Sequence, residues 1–224
     1  MYTVKGAYAE ALITIDDLDP EALTQLYGLL NAKAAEGSHV AIMPDGHPGK
    51  DCLVGFTQRF GEDAEVRLVP NFVGGDIACG VFAWPIMEFL GVDEKGEAIK
   101  TNHNYYVRME RTIRKGAVSA KKGELHLCPI NMRDGTFICR GKGNGDWNES
   151  APHGAGRLMS RSEAKELFDI ESVRATLGNL FTTTVDSSLD EAPDAYKSFD
   201  FIRRHITPTA DIVDRLVPVY NFKG

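Results

Sequence analysis

Four glycine-rich stretches constrain this sequence most. They are PDGHPGK at 44–50, NFVGGDIACGV at 71–81, INMRDGTFICRGKGN at 130–144 and SAPHGAGRLMSR at 150–161. Each mixes glycine with residue types that ligate metals or attack electrophiles. Glycine permits positive φ and lets backbone amides approach a ligand closely. One such loop is ordinary turn chemistry. Four of them in a chain of 224 residues point to short elements strung between loops that can share a ligand.

The segments between the loops read as mixed α+β, most simply as one domain over residues 1–224. Asp19-Pro20-Glu21 starts a helix, because Asp can cap and Pro suits the first helical position. Leu23, Leu26, Tyr27, Leu30 and Ala34 then recur at helical spacing up to Gly37. His39–Met43 reads as a buried strand broken by Pro44. Leu53–Thr57, Glu65–Val69 and Phe137–Cys139 read as further strands. Ser160 with Glu163 forms a capping box that opens the helix SRSEAKELF. Thr207-Pro208 is expected to start a last helix, TADIVDRLV.

With 43% hydrophobic and 25% charged residues, the composition is that of a folded globular chain. No run of about 18 apolar residues is present, so no transmembrane helix is expected. The N-terminus lacks the pattern of a secretory signal. The four cysteines, Cys52, Cys79, Cys128 and Cys139, show no C-x-x-C spacing, which fits a reducing cytoplasm. The net charge of -7 is uneven, since residues 108–163 hold eleven Lys or Arg against six Asp or Glu. The run RMERTIRKGAVSAKKGE within them suits a face for phosphates, with an ordinary solvated face as the plain alternative.

Individual residues sharpen the chemistry. Asp76 and Cys79 pair a hard carboxylate with a soft thiolate three residues apart, a set able to share a transition metal. His103-Asn104 adds an imidazole and an amide. His153, in PHGAGR, is uncrowded by its small neighbours and lies close to Arg157 and a helix start. A neutral histidine there suits attack on phosphorus to give a phosphoramidate. His47 sits in another glycine loop and is its competitor. A small buried thiol and a turn histidine are the plain alternatives at Cys79 and His153.

PHGAGRLMSRSEAK resembles the guanylylation motif of the RtcB-type RNA-splicing ligases. The resemblance extends in order through MPDGHPGK, VPNFVGGDIACGV, NHNYYVRMERTIRKGAVSAKKGE, PINMRDGTFICRGKGNGDWNESAPHGAGR and VPVYNFKG. It implies an RtcB-like α+β fold of mixed sheets with flanking helices. The implied activity joins RNA ends bearing a 3′-phosphate or 2′,3′-cyclic phosphate to 5′-hydroxyl ends, in tRNA splicing or RNA repair. GTP and two Mn²⁺ ions are implied, with a histidine–GMP and then an RNA–guanylate intermediate. The resemblance also implies an activating protein as a partner, and no membrane.

Carried over by position, the resemblance makes His153 the residue that accepts GMP and places Asp45 near the reacting RNA end. Asp76, Cys79 and His103 become metal ligands, with Cys79 shared by both ions. Asn104, Pro129, Ile130, Asn131, Met132, Thr136, Gly154, Ala155, Gly156 and Lys223 fall at nucleotide-contacting positions, together with His153. The family's GGGNHFIE-like and HSGSR-like motifs are missing. Only FAWPIMEFLGVDEKGEAIKT stands in their place, an apparent deletion at about 82–100. Each metal would lose one imidazole, and Trp84, Phe89 and Leu90 are expected to be exposed at the junction. A non-catalytic remnant that binds RNA ends or nucleotide stays open beside the ligase, as does a metal-dependent phosphoesterase.

Overall fold

The computed structural model describes residues 1–73, 76, 77, 79–83, 99–182, 185 and 188–221. The fold is α+β. Its largest sheet has six strands, in the order β1 (Tyr2–Lys5), β2 (Glu10–Ile13), β3 (Ser38–His47), β4 (Val54–Phe60), β8 (Thr112–Lys115) and β7 (Tyr105–Val107). All neighbours run antiparallel except β2 and β3, which are parallel and joined through α1 (Pro20–Leu30). Asp19 caps α1 by accepting from the Glu21 and Ala22 amides at 2.8 and 3.2 Å. The apolar face of α1 buries Leu26, Leu29 and Leu30 against Ile13, Val40, Ile42 and Phe56.

A second sheet is ordered β10 (Leu125–Asn131), β11 (Gly135–Gly141) and β14 (Ala210–Leu216). It forms a separate core with α5 (Phe199–His205) through Phe137, Cys139, Ile202 and Ile206. Short pairs link the two sheets. β5 (Gly80–Ala83) joins β6 (Ile99–Asn102), and β9 (Ala117–Ser119) joins β12 (Ser150–Pro152). Trp147 fills the gap between them and the large sheet, packed with Ala41, Met43 and Ala117. Among the described residues, no helix is long and apolar enough to cross a membrane.

Four local expectations are corrected. β3 does not stop at Pro44 but runs to His47. The ladder to β4 is regular as far as Ile42–Phe56 and resumes at His47–Val54. Pro44 lies in the irregular stretch between, where no ladder amide is needed. Glu65–Val69 forms no strand. Arg67 instead pins it to the surface through Glu65, Glu36 and the Lys33 carbonyl. TADIVDRLV forms β14 rather than a helix, because β11 offers it an edge and tertiary pairing overrides weak helix propensity. The basic run, finally, is divided: Arg108, Lys121 and Lys122 stay exposed, while Arg114 and Lys115 turn inward. Arg114 is fully buried against Ser150 and Glu110, and Lys115 donates to the Cys52 and Asn71 carbonyls. Lys121 pairs with Glu110, and Arg111 donates to Gly61.

α3 (Arg161–Leu167) opens with both capping-box bonds in place, between Ser160 and Glu163. Trp84, Phe89, Leu90, the apparent deletion at about 82–100 for most of its length, and Lys223 lie outside the described residues.

Candidate functional site

All four glycine-rich loops contribute to one cavity of about 640 Å³. His47 comes from the first, Cys79 and Val81 from the second, Ile130–Met132 from the third and His153–Arg157 from the fourth. Pro129 also lines it, beside Tyr196 and Glu191 from the C-terminal part of the chain.

The irregular end of β3 aims Asp45 into the protein, where it is fully buried. Its Oδ2 lies 2.6 Å from His153 Nδ1. Oδ2 accepts from Nδ1–H, so whenever the ring is neutral its lone pair lies on Nε2. Burial alone pushes the His153 imidazolium toward its neutral form. The Asp45 bond and charge outweigh it, helped by a backbone hydrogen bond with Gly116, and the pKa rises above its ordinary value. Asp45 thus touches His153 directly and is not among the residues lining the cavity.

Two glycines permit this contact. A Cβ on Gly156, at φ +73°, would stand 2.2 Å from the Asp45 carbonyl oxygen. A Cβ on Gly116 would stand 2.2 Å from Val54 Cγ1 and 3.2 Å from His153 Cε1. Lys197 completes the support. Its ammonium donates to the Pro44 and Gly46 carbonyls at 2.8 and 2.7 Å, clasping the peptide on both sides of Asp45. No local signal in the sequence marks Lys197, which lies more than 150 residues from the loop it holds.

β5 and β6 bring the second loop to His103, whose amide donates to the Cys79 carbonyl at 2.9 Å. The His103 ring stacks on His153 with centroids 4.5 Å apart. Burial and then the neighbouring His153 push its pKa down to about 4. Its buried Nδ1 has no hydrogen-bond partner. Cys79 is half-buried, and burial followed by its hydrogen bond with Asp76 raises its thiol pKa. Thiol, carboxylate and unpartnered imidazole suit a divalent transition ion in donor chemistry. Among the described residues, however, no three His, Cys, Asp or Glu gather as a metal cluster.

Other expected residues take different places. Pro129, Ile130, Asn131, Met132, Gly154, Ala155 and Gly156 line the cavity. Asn104 does not. Its Oδ1 accepts from the Gly116 amide at 2.8 Å and its Nδ2 donates to the Asp76 carbonyl at 3.1 Å, so it ties the second loop to the floor under His153. Thr136 pairs with Pro129 on the neighbouring strand and is not among the lining residues. The Arg157 guanidinium is spent on the protein, donating to Met159 O, Tyr196 Oη and Asp190 O. It braces the wall instead of waiting for a phosphate, and the start of α3 is closed by its own capping box. His47 shares the cavity and donates Nδ1–H to the Asp45 carbonyl at 2.7 Å, but it lacks a carboxylate partner on its ring.

The family model described as tRNA-splicing ligase RtcB matches residues 86–224, well over half of the chain. The chain belongs to the RtcB family. It is similar to the RNA-splicing ligase RtcB of Escherichia coli, with 36% identity over 135 residues. That match covers 57% of this chain and 33% of the relative. The tRNA-splicing ligase RtcB of Aeropyrum pernix is 33% identical over 110 residues, which are 46% of this chain and 23% of the relative. The RNA-splicing ligase RtcB of Mycobacterium tuberculosis is 32% identical over 111 residues, 47% of this chain and 26% of the relative. The chain therefore spans about a third or less of the curated relatives it matches.

Proposed function

We propose that this RtcB-family chain is an RNA ligase that works through a covalent guanylate on His153. The observation that carries this reading is the bond between buried Asp45 and His153 Nδ1, which leaves Nε2 to a cavity lined by all four glycine loops. Nε2 attacks the α-phosphorus of GTP. The N–P bond forms, the bond from that phosphorus to the β-phosphate bridging oxygen breaks, and pyrophosphate leaves. A 3′-phosphate RNA end then takes GMP from His153, and a 5′-hydroxyl end displaces GMP to form the phosphodiester. Asp45 orients the ring and stabilises its positive charge during attack, as the carboxylate does in a hydrolase triad. Asp76, Cys79 and His103 would hold Mn²⁺, which when bound supplies charge neutralisation for the triphosphate.

A second reading, a binder of RNA ends or nucleotide that does not ligate, is favoured by the lack of a three-donor metal cluster among the described residues. Mass spectrometry after incubation with GTP and MnCl₂ separates the two. The ligase reading expects one acid-labile GMP adduct on His153, absent from His153→Ala. Label on His47 or on a lysine overturns it. No adduct while Mn²⁺ still binds supports the second reading.

A further inference from the structure

One cation near the centre of the site takes no part in the chemistry above. Lys197 stands just ahead of α5 and lines a neighbouring cavity of about 600 Å³, not the one in front of His153. That neighbouring cavity selects no ligand of its own, because its cations Arg133, Arg157 and Lys197 are all engaged by protein groups. What Lys197 grips is more informative. The ladder between β3 and β4 lapses from Ile42 to His47, so the carbonyls of Pro44 and Gly46 lack a partner in the sheet. The Lys197 ammonium takes both, at 2.8 and 2.7 Å. The amide of the same residue donates to the Gly156 carbonyl at 3.0 Å, three positions beyond His153. Ser198 caps α5 immediately afterwards by accepting from the Phe201 amide at 3.2 Å, which fixes the main chain there.

We propose that Lys197 is the positioning residue of the Asp45–His153 pair, gripping the loop of Asp45 with its side chain and the loop of His153 with its backbone. The inference rests on the reading that His153 accepts GMP, and it adds what holds the partner of that histidine in place. Lys197 acts through Asp45 and does not reach the cavity that would hold GTP.

Asp45 depends on such support. Its buried Oδ1 has no hydrogen-bond partner, so its side chain is tied down at His153 alone, through Oδ2. Its aim is therefore set by the main chain on either side, and those are the two peptides that Lys197 holds. The charges also favour the arrangement. Burial lowers the Lys197 pKa, and Asp45 comes first among the carboxylates that oppose this, ahead of Asp17 and Asp19. The same attraction steadies a buried carboxylate beside His153.

The test follows the full chain by proton NMR and by mass spectrometry after incubation with GTP and MnCl₂. A proton held between His153 Nδ1 and a carboxylate resonates downfield of the amides, and the loss of that signal in His153→Ala assigns it. Lys197→Met keeps the stem and removes the donors. It should lose or displace the signal and lower the saturated rate of GMP adduct formation roughly 10- to 100-fold, the effect of about 1 Å of misplacement. The GTP concentration at half-saturation should move by less than about threefold, since no ground-state contact with GTP is removed. Lys197→Gln keeps a neutral donor and should fall between wild type and Lys197→Met. If circular dichroism shows Lys197→Met unfolded, Lys197→Gln is read by the same criteria. An unmoved signal in a folded variant overturns the proposal. A higher half-saturating GTP concentration at an unchanged saturated rate also overturns it, in favour of a substrate-binding lysine. Absence of the signal from wild type removes the pair and the proposal with it. A signal lost in the variant, in a protein whose wild type forms no adduct, removes the ligase reading alone. An adduct rate equal in wild type and variant removes the positioning role alone.

Discussion

His153 and His126 are both enclosed by this fold, and the segment Lys100–Tyr105 reaches both, His103 stacking on His153 and Tyr105 lining a cavity beside His126, yet the protein treats the two rings oppositely. His153 meets a buried carboxylate at 2.6 Å and its pKa rises. Neither His126 nitrogen reaches a partner at good hydrogen-bond geometry, and burial pushes its pKa down to about 4 against the weaker pull of Glu124. The contrast shows that burial does not by itself set what a histidine can do. Burial always taxes the charged ring, and a partner decides whether the tax is outweighed. Where Asp45 supplies that partner, the ring is fixed in one tautomer and aimed at a cavity. Where none exists, burial keeps the ring neutral.

The largest expected effect comes from erasing the difference. Asp45→Asn keeps the shape beside His153 and removes the negative charge. The rate of GMP adduct formation should fall roughly 10²- to 10⁴-fold, by analogy with loss of the triad carboxylate. Circular dichroism should show the fold intact, and an unchanged adduct rate would break the comparison at its stronger side.

Acid acts on the two histidines with opposite sign. His126 titrates near 6.5 in the unfolded chain and near 4 in the folded one. Its favourable contribution is therefore present above pH 6.5 and is lost as pH falls toward 4, by about 3 kcal/mol. His153, with a raised pKa, contributes stability below its unfolded value and loses it as pH rises through the folded one. Urea unfolding of the wild type and His126→Leu from pH 4 to 8 should show a shallower acid slope in the variant. Identical slopes would mean that His126 is not the neutral buried ring described here.

A smaller effect is expected at the wall that carries Cys79. If the proposed ligand set holds, Cys79→Ala should weaken Mn²⁺ binding tenfold or more by calorimetry, since it removes one of only three donors. Equal affinity would return Cys79 to the role of a packed thiol and leave the site's chemistry to the Asp45–His153 pair.

Features that depend on neighbours in the chain were legible from the residues. The Asp19 cap with Pro20, the capping box of Ser160 and Glu163, and the strand at Phe137–Cys139 rest on hydrogen bonds or side-chain alternation within a few positions. The glycine loops were visible for the same reason, because permissive backbone is a property of the residue itself. What tertiary structure decided was set by partners far away. Pro44 stays within β3 because the ladder to β4 is irregular there, and TADIVDRLV is a strand because β11 has an open edge beside it. Arg114 and Lys115 of the basic run turn inward because Glu110 and buried carbonyls claim them. Asp45 and His153 lie 108 residues apart, and only folding puts them 2.6 Å apart, clasped by a lysine near the end of the chain. Residue type told which groups could do chemistry. Long-range packing chose which of them have a partner, and in a low-dielectric interior the partner sets charge, tautomer and aim.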